Sequence, residues 1–397
     1  MCEKIIRKAH YNPSIAIVGA GIAGLTLALS LCRYGIKSDI FEQSDQFMEA
    51  GAGLQISPNA SYLLKKIGVL SELESLWFEP SAIRLLSGIT MKELNNIPCG
   101  SHARNQWGAP YAVLHRTTLR KTLLSILERN PLVNLHLNTR ISEKPFTDII
   151  NIIGRQPDLL VGADGLWSKI RTCIENRSAL FSGNVALRFL VSTHKAPNFI
   201  DHQSINAFLG PNAHLVIYPL PEISSINIVV ITSCPENMIQ ETYGHIAQPS
   251  EHTLFMNSLS SWNQKLKHLV LKAENPFFWP LFQCHCDHWH NGRDTVLIGD
   301  AAHAMLPFAA QGANMAIEDA YILAAFLAQK PISEAIISYQ ENRKTRIHKV
   351  YNRINFNRFI FHLKGPNQLF RNIALKIIPP AQLSKNLNWL YGYKSII

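Results

Sequence analysis

Three glycine-bearing turns, spread over almost the whole chain, hold the residues best suited to chemistry. They are Gly19-Ala20-Gly21-Ile22-Ala23-Gly24, the end of Asp158-Leu159-Leu160-Val161-Gly162-Ala163-Asp164-Gly165, and Gly299-Asp300-Ala301-Ala302-His303. A Gly-x-Gly-x-x-Gly turn between a strand and a helix cradles a pyrophosphate. Gly19 permits the tight turn, Gly21 lets the backbone approach the phosphates, and Gly24 lets helix and strand pack closely. Free N–H groups at the helix start then face the phosphate oxygens. Glu42 follows roughly 20 residues later at a strand end, where a carboxylate accepts bonds from ribose hydroxyls. The first turn alone could belong to an unrelated α/β protein. Three in this order point to one extended dinucleotide, FAD, held along its length.

The third turn leads into Pro307-Phe308-Ala309-Ala310-Gln311-Gly312-Ala313-Asn314, a small-residue loop feeding a helix that begins near Gly312. Such a loop places backbone N–H groups beside a flavin pyrimidine or a phosphate. Asp300 suits a ribityl hydroxyl, with an N-cap of the following turn as the alternative. On an extended strand, His214 and Tyr218 share a face.

These positions need a particular set of elements. Ser14–Val18 reads as a strand, Ile22–Tyr34 as an apolar helix stopped by Gly35, and Ser38–Phe41 as the next strand. His115–Arg129 reads as a basic helix with Leu119, Leu123 and Leu127 four apart. Pro157–Gly162 and Thr295–Ile298 read as core strands, Asn314–Leu327 as a helix, and Ser333 onward as mostly helical until Pro379-Pro380. Between Gly183 and about Pro280, β-like runs such as Leu215–Tyr218 and Ile226–Ile231 alternate with turn residues. The expected fold is α/β: a Rossmann-like FAD domain with an inserted mixed-sheet substrate domain and a helical C-terminal segment. Residues 1–180 and 281–345 would form the FAD domain, with small substrate-side elements around 70–110. Residues 181–280 would form the sheet domain, and 346–397 the helical segment.

Composition narrows the function. The chain has 397 residues, 47% hydrophobic and 17% charged, as in an ordinary globular protein with a large core. Lys and Arg number 38 against 28 Asp and Glu, a net charge of +10. That field could draw nucleic acid or an anionic membrane, but no aromatic-interleaved basic stripe accompanies it, and small anionic ligands gain equally. The start, Met1 to Lys8, lacks the apolar run of a secretory signal, and no apolar stretch is long enough to span a bilayer. Seven scattered cysteines read as reduced and cytoplasmic.

Taken together, the chain resembles the single-component aromatic-ring hydroxylases, the flavoprotein monooxygenases typified by p-hydroxybenzoate and salicylate hydroxylases. The match is carried by Gly19–Gly24 with Glu42, by Gly51-Ala52-Gly53-Leu54-Gln55-Ile56-Ser57-Pro58-Asn59-Ala60, and by Arg116 before the leucine-spaced helix. It continues through Asp158–Gly165 with Ser168 and Arg171, then Gly299–His303, Pro307, Gln311-Gly312, Asn314 and Glu318-Asp319-Ala320. The resemblance implies FAD as cofactor and NADH or NADPH as a transient co-substrate. No second dinucleotide fingerprint or paired redox cysteine motif suggests a disulfide-reductase type. Carried over by position, Glu42 would hold the adenosine ribose, and Arg116 the sugar–phosphate portion. Gln55 belongs to the cofactor-side match, Asp164 would serve both FAD and the passing nicotinamide, and Gly299-Asp300 the ribityl or pyrophosphate part. The Ala310–Asn314 backbone, including Gly312, Ala313 and Asn314, would lie near the flavin ring. Pro307 would shape the pocket roof.

His214-Leu215-Val216-Ile217-Tyr218-Pro219-Leu220 looks like the His-x-x-x-Tyr-Pro segment of the salicylate-hydroxylase-like branch. His214 would take the phenolic proton, unless it is a structural histidine at the domain border. Arg188 would anchor a substrate carboxylate, with a surface or interdomain pairing as the alternative. The implied reaction is hydroxylation of a phenolic or heteroaromatic acid by NAD(P)H and O2 through a flavin C4a-hydroperoxide, salicylate-like acids being favoured. Two alternatives remain: ring hydroxylation in ubiquinone biosynthesis, and oxidation of a non-aromatic secondary metabolite. A monomer or homodimer is expected, without nucleic acid or an integral membrane anchor. Two features depart from the pattern: a short Leu135–Gln156 with Pro145 and the Ile149–Ile153 run, and Ala310 where many relatives have Gly. Cys284-His285-Cys286-Asp287-His288-Trp289-His290 resembles a metal nest, yet alternating ligands strain a tetrahedral site, so a polar linker without metal is expected. The basic, apolar tail around Phe356–Ile378 would cover the FAD domain, form a subunit contact or touch a membrane surface.

Overall fold

The structure is a computed structural model describing residues 13–44, 53–239 and 241–395. The expectations resting on Met1 to Lys8 and on Gly51-Ala52 lie outside the described residues. Short strands of three or four residues build the first sheet. Ile15–Val18 pairs in parallel with Ser38–Phe41 on one side and Leu159–Gly162 on the other, and all three are buried throughout. Thr295–Leu297 and Val133–His136 complete the edges of this five-stranded parallel sheet. Strands buried on both faces have no use for alternation, which explains the unbroken apolar runs Ile15–Val18 and Leu159–Val161, while Ser38–Phe41 opens with Ser38 and Asp39. Helix Ile22–Cys32 buries every residue but its last, packed between the sheet and helices Arg116–Glu128 and Gly312–Gln329.

The second sheet has eight strands. Its order is His245–Ile246, Phe277–Gln283, Leu180–Ser192, Ser225–Ser233, Ala213–Leu220, Ile205–Gly210, Ala82–Ser87 and Glu93–Pro98. Pairing is antiparallel except where Ile205–Gly210 meets Ala82–Ser87, which makes the sheet mixed. The hairpin 82–98 therefore adds to this sheet from outside residues 181–280. Alternation sorts its two faces. Leu215, Ile217, Ile228 and Val230 enter a core closed by Phe255, Leu266 and Val270 of helices Pro249–Ser258 and Gln264–Leu271. Tyr218, Ile231 and Ala186 join the core shared with the first sheet.

Two segments differ from their sequence pattern. Pro145–Ile153 is a helix with Pro145 in its first turn and only Pro145 and Ile149 buried, so the Ile149–Ile153 run is no strand. Helix Ile332–Phe361 runs 30 residues without a break at 345. Beyond it, helix Gly365–Ile377 leans on Glu93–Pro98, where Asn95 Nδ2 donates to Leu375 O and Ile378 O at 2.6 and 2.7 Å. Pro379-Pro380 opens another short helix, Pro380–Lys385, because Pro is tolerated in a first turn. This tail leaves Phe359, Leu369, Phe370 and Ile377 exposed, so these side chains cover no part of the FAD domain. Among the described residues no helix is long and apolar enough to cross a membrane.

Candidate functional site

At the first turn, Gly19 takes φ +106°, and its N–H donates to Phe41 O at 2.8 Å. A Cβ there would sit 2.4 Å from Ala163 O, which locks the Gly19 turn against the Ala163–Gly165 turn. A Cβ on Gly24 would strike Gly19 O at 2.0 Å, whereas one on Gly21 would meet nothing within 4 Å. The helix behind Gly21 starts without a side-chain cap and without an acidic residue in its first turn. An open glycine before uncapped amides is what a pyrophosphate requires, so this turn fits FAD. Glu42 Oε2 accepts from Ala20 N at 2.8 Å and meets the Arg120 guanidinium at 3.3 Å; Arg120 Nε also donates to Ala20 O at 2.9 Å. Arg120 was not among the expected residues. Its spacing of four from Arg116 on a helix was the available signal.

The Asp164 carboxylate is engaged locally. Its oxygens accept from Ser168 Oγ, Lys169 N and Ile170 N at 2.6, 2.7 and 3.1 Å, capping the turn that follows. Burial raises its pKa against those bonds. The backbone of this turn, rather than that carboxylate, is what the Gly19 turn packs against.

Asp300 opens the short helix Asp300–His303 behind Gly299, so it is the first helical residue and not the N-cap. Its carboxyl is pushed up by the surrounding protein, with Arg116 and His303 opposing that shift. Asp300 Oδ1 lies about 4 Å from where a Cβ on Gly312 would stand. The carboxylate thus borders the uncapped start of helix Gly312–Gln329. Ala310 adopts φ +51°, the left-handed conformation that glycine takes without strain, and Asn314 Nδ2 holds its carbonyl at 2.8 Å. Asn314 also donates to Gln55 O and accepts from Ser57 N, while Gln55 Oε1 accepts from Tyr111 at 2.8 Å. The Asn314 amide therefore ties the Gly53–Ile56 strand to the loop.

Beneath this loop lies a buried charge network. Asp319 Oδ2 accepts from Gly299 N at 2.9 Å and from His303 Nε2, and Asp319 Oδ1 accepts from Arg343 Nε at 2.7 Å. Glu318 pairs with Arg343 and Arg346 and accepts from Asn59 at 2.7 Å. Burial pushes the Asp319 carboxyl up, but His303 and Arg343 outweigh it and hold it at about 2. The network fixes the Gly299 turn with charges that have no water to relax into.

On the sheet side, register settles which side chains meet the cofactor domain. Val216 lies opposite Val229, which lies opposite Arg188; His214 lies opposite Ile231, which lies opposite Ala186. Arg188, His214 and Tyr218 therefore rise from one face, the face of the shared core. Tyr218 packs on the Gly53 backbone, whose N–H donates to Asn227 Oδ1 at 2.9 Å. Burial raises the Tyr218 hydroxyl, with Arg188 opposing it. Burial first and Arg116 second lower Arg188 to about 10, so it remains a cation near neutrality. Its Nε has no hydrogen-bond partner, and its guanidinium lies 5.4 Å from the Trp279 ring centre. His214 is 2% exposed, stacked near Phe308 and Phe361 at 5.1 and 5.3 Å, and its Nδ1 meets His362 Nε2 at 2.8 Å. Pro307 begins the turn that carries Phe308. His362 stands 148 residues from His214, and no local pattern announced it.

The Cys284–His290 segment is not a solvated linker. Cys284 N and Cys286 N donate to Ala304 O and Ala302 O, and both thiols are buried, 3.9 Å apart. Among the described residues no three His, Cys, Asp or Glu side chains gather to hold a metal.

Comparison with known proteins agrees with this geometry. Residues 13–353 match the family described as FAD binding domain. The 3-amino-4-hydroxybenzoate 2-monooxygenase PtmB3 of Streptomyces platensis is 32% identical over 394 residues, 98% of each chain. The 3-hydroxybenzoate 6-hydroxylase 1 of Aquipseudomonas alcaligenes is 31% identical over 98% of this chain and 99% of its own. Among solved structures, a salicylate hydroxylase substrate complex superposes with a TM-score of 0.78 at 21% identity, covering 96% of both chains. Klebsiella pneumoniae HpxO with FAD and uric acid gives 0.79 at 17%, covering 96% of this chain and 97% of that one. The chain belongs to the FAD binding domain family and, within it, to the single-component FAD-dependent aromatic-ring hydroxylases.

Proposed function

We propose that this FAD-dependent monooxygenase hydroxylates a benzoate-type acid whose phenolic hydroxyl is meta or para to its carboxylate. The carrying observation is the placement of Arg188 and His214 on one sheet face, two strands and two residues apart. Standard strand spacings put their Cα atoms roughly 12 Å apart. A cation with an unpartnered Nε suits a carboxylate, and an imidazole at the other end suits a hydroxyl. A ring acid with these groups on non-adjacent carbons spans that interval; in an ortho acid the carbons are adjacent and the two groups cannot serve both ends. The relatives named for 3-hydroxybenzoate and 3-amino-4-hydroxybenzoate support the same class.

Bound FAD supplies reduction by NAD(P)H and an electrophilic oxygen drawn from O2. The residues of this chain prepare the ring. Arg188 binds the carboxylate, and His214 Nε2, which has no protein partner among the described residues, takes the phenolic proton. Tyr218, kept protonated by burial, donates to the phenolate oxygen. Phe308 and Phe361 keep water from the imidazole. On the cofactor side, Gly19, Gly21 and Gly24 form the pyrophosphate cradle and Glu42 takes the ribose. Arg116, Asp300 and the backbone of Gly299, Gly312 and Ala313 receive the ribityl end and ring. Asn314 and Gln55 hold that loop in place, and Pro307 shapes its roof. The free thiols of the described cysteines support a reducing, cytoplasmic setting.

The test is NAD(P)H oxidation by the FAD-loaded protein across 3-hydroxybenzoate, 4-hydroxybenzoate, 3-amino-4-hydroxybenzoate and salicylate. The first three should accelerate oxidation more than salicylate does. A lead for salicylate refutes the spacing argument.

A further inference from the structure

We propose that His362 is the second station of a proton relay that carries the phenolic proton from His214 to solvent. The inference rests on the reading of His214 as the base. His214 is enclosed by Phe308, Phe361 and the neighbouring strands, with 2% of its surface exposed, so a proton it receives has no direct way out. The only protein hydrogen bond of its ring among the described residues joins Nδ1 to His362 Nε2 at 2.8 Å. His362 ends the long helix, is half-buried, and lines a cavity of about 580 Å³ with Asn184, Asn355, Arg358, Lys364 and Asn367. One ring of the pair thus faces the substrate side and the other an open cavity whose rim carries polar and charged side chains beside Phe359 and Leu363.

The step balances without a net charge resting on either ring. The phenolic O–H bond breaks, its electron pair stays on oxygen, and the proton joins His214 Nε2. The Nδ1–H bond of His214 breaks as its proton joins His362 Nε2, and His362 Nδ1 releases its own proton to water in the cavity. Both imidazoles end neutral with their tautomers exchanged. Neutrality matters because this surrounding disfavours an imidazolium. Burial and then His362 depress His214, while burial, Arg358 and Arg371 depress His362 to about 4. A lone histidine here would be a poor proton store; a pair that passes the proton on needs no store. Arg358 of the long helix and Arg371 of the next disfavour an imidazolium at His362, and Lys364 stands at the rim of the cavity.

The experiment mixes FAD-loaded protein with 3-hydroxybenzoate in a stopped-flow instrument and follows phenolate absorbance, a signal independent of turnover. His362→Ala should slow ring ionisation by about 100-fold, the scale of a lost proton-transfer group. Added imidazole, small enough for the cavity, should restore much of that rate. His362→Gln keeps the bulk and a hydrogen bond to His214 Nδ1 but cannot pass a proton, so it should be as slow as His362→Ala. Wild-type ionisation in His362→Gln, or a slow His362→Ala that imidazole does not rescue, overturns the relay alone. A wild-type protein that binds the acid but never ionises it overturns the base role of His214 and the relay together.

Discussion

Gly21 and Gly24 stand three residues apart in one turn, and the structure assigns them opposite sensitivities to the same added methyl group. A Cβ on Gly24 falls 2.0 Å from Gly19 O and 3.2 Å from an Ile17 side-chain carbon. Carbon–oxygen contacts normally lie at about 3.3–3.6 Å, so Gly24→Ala must push the Gly19 carbonyl away by more than an ångström. That shift strains the 2.8 Å bond from Gly19 N to Phe41 O. Overpacking at about 1–3 kcal/mol plus a weakened hydrogen bond at about 1 kcal/mol gives a loss of roughly 2–4 kcal/mol. For a chain of this length that lowers the Tm of the FAD-free protein by about 2–5 °C. Gly21→Ala meets open space at φ −76° and ψ −176°, which any residue adopts, so the FAD-free Tm should move by no more than about 1 °C. In the proposed pyrophosphate cradle its methyl instead intrudes on the phosphate approach. Losing one charge-assisted hydrogen bond costs about 1.5–3 kcal/mol, roughly 10- to 150-fold in Kd for FAD. Thermal melts without FAD and flavin-fluorescence titrations measure the two quantities. Equal loss of Tm in both variants, or an unchanged FAD affinity in Gly21→Ala, refutes the reasoning.

Three further outcomes are expected. His214→Ala should retain FAD yet divert NAD(P)H oxidation toward peroxide, cutting product per NAD(P)H by about 10-fold or more; unchanged coupling contradicts its base role. Arg188→Ala should raise KM for the ring acid by about 10- to 100-fold, the worth of a charge-assisted pair, and Arg188→Lys should recover only part because the planar fork is lost. Asp319 is ordinarily a group of pKa 3.8 but is held at about 2 in the fold, so the stability it contributes is present above 3.8 and lost as pH falls toward 2. Asp319→Asn should remove that acid-dependent stability, about 2 kcal/mol, and lower stability at neutral pH by about 3–5 kcal/mol, because Arg343 keeps only Glu318 and His303 loses its carboxylate, as read by denaturant titrations across pH.

The glycine turns were legible because their causes are local. A glycine at a fixed offset from a strand and a helix start has one backbone reason to be there, and Gly19, Gly24 and Gly299 all meet it. The strands read at 14–18 and 157–162 are found at 15–18 and 159–162, and the extended reading of 214–218 put His214 and Tyr218 on one face of the strand found at 213–220. What escaped depends on contacts distant in sequence. His362 reaches His214 only because the helix after the sheet returns to it, and Arg343 meets Asp319 only through the packing of two helices. The 82–98 hairpin joins the second sheet through a parallel pairing with 205–210, which alternation within either segment cannot announce. Asp164 and Asn314 show another kind of gap. Their types and positions marked a site, yet their polar atoms are occupied in holding turns, a distinction visible only once partners are placed.

The most direct measurement is the origin of the oxygen atom in the product. FAD-loaded protein given NADH or NADPH, 3-hydroxybenzoate or 3-amino-4-hydroxybenzoate, and isotopically labelled O2 should form a ring hydroxyl carrying one labelled atom for each nicotinamide oxidised. Oxygen drawn from water, or nicotinamide oxidation that these ring acids fail to stimulate, contradicts the account.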